Sequence, residues 1–193
     1  MIVFTLKELE GVPEGFLKQK DLMNAYGTYD IRPGVAPQYQ TVMRTAKQAE
    51  TRRRLMDARF KQAKDENLPI LAKMVQLRFD IARKLGYKTW ADYQTEKRMA
   101  GNGNRVKTFL TDMVSGLEPR FKQDVEHLRQ LKVKETGDDA AVLHMWDLSY
   151  YKNQYIKDAF AIDREEMRRY FPLQPTLEGL FEVYGIVFGL EIQ

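Results

Sequence analysis

The chain has two histidines, His127 and His144, and they stand several helical turns apart. A hydrolytic zinc site of the H-E-x-x-H kind needs two imidazoles one turn apart on a helix, so that both face one metal while the intervening glutamate activates its water. Neither histidine has such a neighbour. No metal ligand is assigned in this chain, and isolated histidines of this sort are expected to be surface or satisfied structural residues. Nucleophilic chemistry fares no better. Cysteine is absent, and Ser115 and Ser149 lack the G-x-S-x-G context that aims a serine. Gly101-Asn102-Gly103-Asn104 is followed by no Lys-Ser or Lys-Thr pair and misses the G-x-G-x-x-G spacing, so it reads as a helix-breaking turn. Glu165 and Glu166 have nothing around them in sequence that would raise a carboxyl pKa for acid work, and helix capping is the simpler role. No catalytic residue is expected here.

One constellation has the right types for binding. Trp146-Asp147-Leu148-Ser149-Tyr150-Tyr151, with Tyr155 one turn on, places Trp146, Tyr150 and Tyr151 near one helical face. Rings with hydrogen-bonding tips can line a peptide-binding cleft. The same pattern also serves core packing, with Asp147 near a helix start favouring the dipole.

The elements that must position these residues are helical. With 193 residues the chain is one domain, or two small helical subdomains sharing a core. Its 44% hydrophobic and 30% charged residues lie far from the disordered regime. No run approaches the roughly 18 apolar residues that span a bilayer, and Met1 leads into Ile-Val-Phe without the basic start of a signal peptide. No membrane partner is expected. The lack of cysteine and of a signal peptide points to a cytoplasmic setting. The net charge of +4 arises from interleaved signs and demands no polyanion. The densest basic run, Arg52-Arg53-Arg54, follows Glu50 and precedes Asp57, which predicts a solvated helix face with (i, i+4) pairing and no nucleic-acid partner.

Residues 1–45 read as an irregular leading segment, broken by Pro13, Gly15, Gly27, Pro33, Gly34 and Pro37. Thr5 with Glu8 predicts a capping box opening a brief helix, Glu14 to Lys20 another, and Tyr29-Asp30-Ile31 an extended piece. Residues 46–132 read as a helical array. Leu71, Met74, Val75, Ile81, Ala82 and Leu85 form one stripe, which Gly86 is placed to end. Thr89 with Asp92 predicts a capped helix to about Met99. From Asn104, Val106, Phe109, Leu110, Met113, Leu117 and Phe121 share a face, with a kink expected at Pro119. The polar tract Lys132 to Ala140 predicts a loop. Residues 133–193 read as an aromatic-rich helical segment: a helix from about Trp146 to Lys157, a second capped by Asp163 with Glu166, and an apolar one capped by Thr176. An extended start at Gly189-Leu190-Glu191-Ile192-Gln193 then follows. The fold class is all-α, a multi-helix array of antiparallel helices with short extended pieces near the termini.

Taken in order, these residues resemble the thimet oligopeptidase and neurolysin family of zinc metallopeptidases. The landmarks are Glu8-Leu9-Glu10-Gly11-Val12-Pro13-Glu14, Ala49-Glu50-Thr51-Arg52-Arg53, Glu66-Asn67, Leu85-Gly86-Tyr87, Ala91-Asp92-Tyr93, Trp146-Asp147 with Tyr150-Tyr151, Tyr170-Phe171-Pro172 and Glu178-Gly179-Leu180. The resemblance implies a parent enzyme that hydrolyses short peptides inside the cell with a zinc-activated water. It also implies a deep helical channel that this segment helps wall. The family's H-E-x-x-H helix has no counterpart before Gln193. The implied zinc therefore has no ligand here, the chain is expected to stop upstream of the catalytic helix, and the implied partners are short peptides and the catalytic remainder of the same polypeptide. Trp146, Asp147, Tyr150 and Tyr151 are the channel-side candidates. The competing expectation is a stand-alone basic helical module that binds nucleic acid or a protein partner.

Overall fold

A computed structural model describes residues 1–162 and 164–191. Helices dominate, and the two strands among the described residues, β1 (Ile2–Phe4) and β2 (Tyr29–Ile31), pair antiparallel with Ile2 opposite Ile31, Met23 adding an isolated bridge to Tyr29. Between them lies α1 (Glu14–Leu17). The Thr5/Glu8 pair makes reciprocal bonds, Thr5 N–H to Glu8 Oε2 at 2.7 Å and Glu8 N–H to Thr5 Oγ1 at 3.3 Å. They close a turn rather than open the helix expected there.

α2 (Ala36–Thr45) starts with Pro37 in its first turn, where the missing N–H costs nothing. α3 (Ala49–Phe60) follows, and the link between them packs tightly on residues 9–12. Gly11 has φ +90°, and a Cβ there would meet Thr45 O at 2.5 Å, so only glycine fits. The core sits here: Phe4, Leu9, Phe16, Leu22, Ile31, Val42, Met43 and Leu55 are buried together, with Trp146 packed against them from the other end of the chain.

Ala63, in the left-handed region at φ 49°, turns the chain into α4 (Lys64–Lys84). Its end is as expected: Gly86 N–H bonds Arg83 O and Tyr87 N–H bonds Ala82 O, the paired bonds of a Schellman stop. Thr89 caps α5 (Trp90–Thr95), with Asp92 N–H donating to Thr89 Oγ1 at 3.1 Å. α6 (Gly103–Thr136) is capped by Asn102, two residues before the predicted Asn104, and continues through Pro119. It also runs through the tract predicted as a loop. Lys132 to Thr136 remain helical because no breaker intervenes until Gly137, which ends the helix at φ 70°.

α7 (Leu148–Phe160) packs on both α2 and α6. α8 (Arg164–Met167), a 3₁₀ turn (Arg168–Tyr170) and α9 (Leu173–Phe188) follow. The Asp163 cap lies outside the described residues, as do the last two residues of the predicted extended end. Thr176 does not cap α9. Its hydroxyl donates to Pro172 O at 2.8 Å from inside the helix, and Pro172 holds the cap position.

The apolar stripes read from sequence are real helical faces, yet within this chain they largely face solvent. Of the α4 stripe Ala82 is buried, but Leu71, Val75 and Leu85 are exposed, and Phe109 and Phe121 of α6 are 61% and 63% exposed. α9 carries one polar stripe, Gln174, Glu178 and Glu182, while Leu173, Ile186, Val187 and Phe188 on its other sides are exposed. No helix among the described residues is long and apolar enough to cross a membrane.

Candidate functional site

The four candidate residues gather where α7 begins. Asp147 occupies the N-cap position of α7, but its carboxylate makes no cap bond to that helix. It turns back: Oδ2 accepts from His144 N–H at 3.1 Å and from Lys132 Nζ at 2.6 Å, and Oδ1 accepts from Arg52 Nη2 at 2.6 Å. The side chain has no exposed surface. Burial acts to raise its pKa, but the bonds from Lys132, Arg52 and the His144 amide outweigh that and hold it below the usual carboxylate value.

Arg52 corrects the sequence reading. Predicted to lie on a solvated face, it is 1% exposed. Its Nη1 donates to Ala46 O at 2.6 Å and Lys47 O at 2.8 Å, and Nε to Trp146 O at 3.2 Å. The guanidinium lies 4.3 Å from the centroid of the Tyr150 ring. A buried charge survives only with this degree of pairing. The expectation of a solvated, paired face does hold for Arg53, which bridges Glu50 and Asp57. Arg54 reaches Glu8.

Tyr150 and Tyr151 are both buried and meet edge to face at 5.0 Å. The Tyr150 hydroxyl donates to Glu135 Oε1 at 2.8 Å. Burial first, and then the Glu135 carboxylate, push its pKa up to about 12, and the same causes raise Tyr151 further. Trp146 is half-buried, stacked on the His144 ring at 4.5 Å and 21°. Both tyrosines border a recess of about 400 Å³, walled also by Lys47, Leu131, Glu135 and Gln154.

Sequence reasoning missed Arg52, Lys132 and Glu135. A trace was present: Arg52 stands one turn before Leu55 and Met56, and Lys132 one turn after Leu128, so each is a cation inside an apolar stripe.

The arrangement fixes the start of α7 against α3 and α6 through Asp147, Arg52 and Lys132. Among the described residues no group of three or more His, Cys, Asp or Glu side chains converges as a metal would require. His127 and His144 are each packed against an aromatic ring instead. The described residues therefore do not fit a zinc ion.

The family model described as Peptidase family M3 matches residues 42–193. Saccharolysin of Saccharomyces cerevisiae is 32% identical, over 98% of this chain and 28% of its own length. A probable thimet oligopeptidase of Arabidopsis thaliana is 31% identical, over 100% of this chain and 26% of its own. Oligopeptidase A of Escherichia coli is 29% identical, over 95% and 28%. The chain thus spans less than a third of the length of these curated relatives.

Proposed function

We propose, because this chain belongs to peptidase family M3, that it is a non-catalytic helical segment of a zinc-dependent oligopeptidase that hydrolyses short peptides, and that it helps wall the substrate channel. The observation that carries the reading is the collinear match of nearly the whole chain to relatives named oligopeptidases, each more than three times its length. The uncovered apolar faces of α4, α6 and α9 support it, since the remainder of the same polypeptide would cover them. Zinc and its ligands then belong to that remainder, and the setting is the cytoplasm.

In this reading residues 1–45 form a base, residues 46–132 a helical wall, and residues 133–193 the approach to the catalytic part. Trp146, Asp147, Tyr150 and Tyr151 act at the channel side, Asp147 by holding the start of α7 in place and the aromatic residues by bordering the recess. A nucleic-acid role draws no support from the basic run, whose charges are spent on Asp147, Glu50, Asp57 and Glu8.

Zinc content and cleavage of short peptides, measured on residues 1–193 and on a polypeptide of the relatives' full length that contains them, test the proposal. The expected result is neither property in the short chain and both in the long one. Stoichiometric zinc with peptide cleavage by residues 1–193 alone would overturn it.

A further inference from the structure

The buried tyrosines occupy one side of α7, and the other side carries Lys152. Its side chain is exposed and makes no ion pair or hydrogen bond among the described residues. Lys152 differs in this from Lys132 across the same helix pair, whose ammonium is bonded to Asp147 and to the Val142 carbonyl. Lys152 stands at the edge of a groove of about 480 Å³ between α6 and α7. Arg120, Gln123, His127, Leu128 and Tyr155 form the rest of its lining, with Asp124 held to Arg120 Nε at 2.9 Å.

The exposed His127 ring meets Tyr155 edge to face at 4.8 Å and 76°. The formal charges of the lining are two cations, Arg120 and Lys152, against one carboxylate, Asp124. The groove thus combines a net positive lining, an imidazole donor and two apolar walls, Leu128 and Tyr155. Its volume lies in the range of sites for small ligands, roughly 300–1,000 Å³.

We propose that this α6–α7 groove is a subsite for the terminal carboxylate of a short peptide. Lys152 forms the ion pair, His127 donates a hydrogen bond from the flank, and the last side chain of the peptide rests on Leu128 and Tyr155. That the ligand is a peptide rests on the oligopeptidase reading. The carboxylate chemistry rests on the groove alone.

The test uses the 193-residue chain and needs no hydrolysis. Its two histidines supply two separate imidazole proton resonances, one at the groove and one outside it. N-acetyl-Ala-Ala-Phe with a free carboxyl end should displace the His127 resonance to saturation and leave His144 in place. Its carboxamide should bind about tenfold more weakly, and Lys152→Ala should weaken the free acid by a similar factor, the loss of one charge-assisted hydrogen bond. Equal binding by the carboxamide, no effect of Lys152→Ala, equal movement of His144, or inorganic phosphate binding as tightly as the peptide would each overturn the proposal. Equal binding by N-acetyl-Ala-Asp-Ala-amide would overturn the assignment to the peptide terminus. A longer polypeptide without peptidase activity would sink the oligopeptidase reading and leave this binding result standing.

Discussion

Asp147 and Arg52, separated by 95 positions in sequence, meet at 2.6 Å with both side chains sealed from solvent. The pair joins the start of α7 to α3, and Lys132 joins both to the end of α6. Three segments remote in sequence are therefore fixed at one carboxylate.

Removing one partner leaves the other buried with only part of its charge compensation, Lys132 for Asp147 and carbonyl oxygens for Arg52. Asp147→Asn and Arg52→Met should each lower unfolding stability by about 3–5 kcal/mol. Urea unfolding of the two variants and of the double variant measures it. The double variant should lose less than the sum, because Arg52 and Asp147 are then absent together and only Lys132, 13% exposed, lacks its carboxylate. Strict additivity would show that the two residues act independently.

Acid should expose the same pair. The folded-state pKa of Asp147 is below its ordinary 3.8, so its contribution to stability is complete above that value and is lost as pH falls through the folded value. Thermal melts below pH 4 should show a steep loss in the parent chain and a shallower one in Asp147→Asn. Parallel slopes would assign the acid transition to other carboxylates.

Alkali acts on the other side of α7. Tyr150 ionises at 10.0 when unfolded and at about 12 in the fold, so its contribution is present below 10 and disappears as pH rises toward 12. Ultraviolet titration of tyrosinate should show late-ionising rings among the ten tyrosines, with one fewer in Tyr150→Phe. Ionisation of all rings near pH 10 would contradict the burial.

The adjacent arginines should behave differently. Arg53→Glu breaks exposed pairs with Glu50 and Asp57 and should cost about 0–1 kcal/mol, while Arg52→Glu places a second carboxylate beside Asp147 and should prevent folding. Circular dichroism of the two variants distinguishes them, and similar spectra and midpoints would refute the contrast.

The apolar face of α6 should be nearly silent in this chain. Phe121→Glu should change stability by no more than about 0.5 kcal/mol while lowering self-association in sedimentation experiments. The same substitution in a full-length polypeptide should be strongly destabilising. A large loss in the 193-residue chain would mean that Phe121 is already packed.

What the sequence determined by itself is local. The Thr89 cap, the Gly86 stop and the stripes of α4 and α6 depend on residues three or four apart, whose geometry the helix imposes wherever it sits. The order of landmarks was equally legible, and with it the family. The tertiary structure alone decided which stripes are covered and which charges are buried. Arg52 and Arg53 are neighbours of the same type with carboxylates nearby in sequence, and no local pattern says that one meets Asp147 in the interior while the other pairs in water. That difference depends on α7 closing on α2 and α6 at the far end of the chain, because the cost of burying a cation is met only where a remote carboxylate and free carbonyls converge on it.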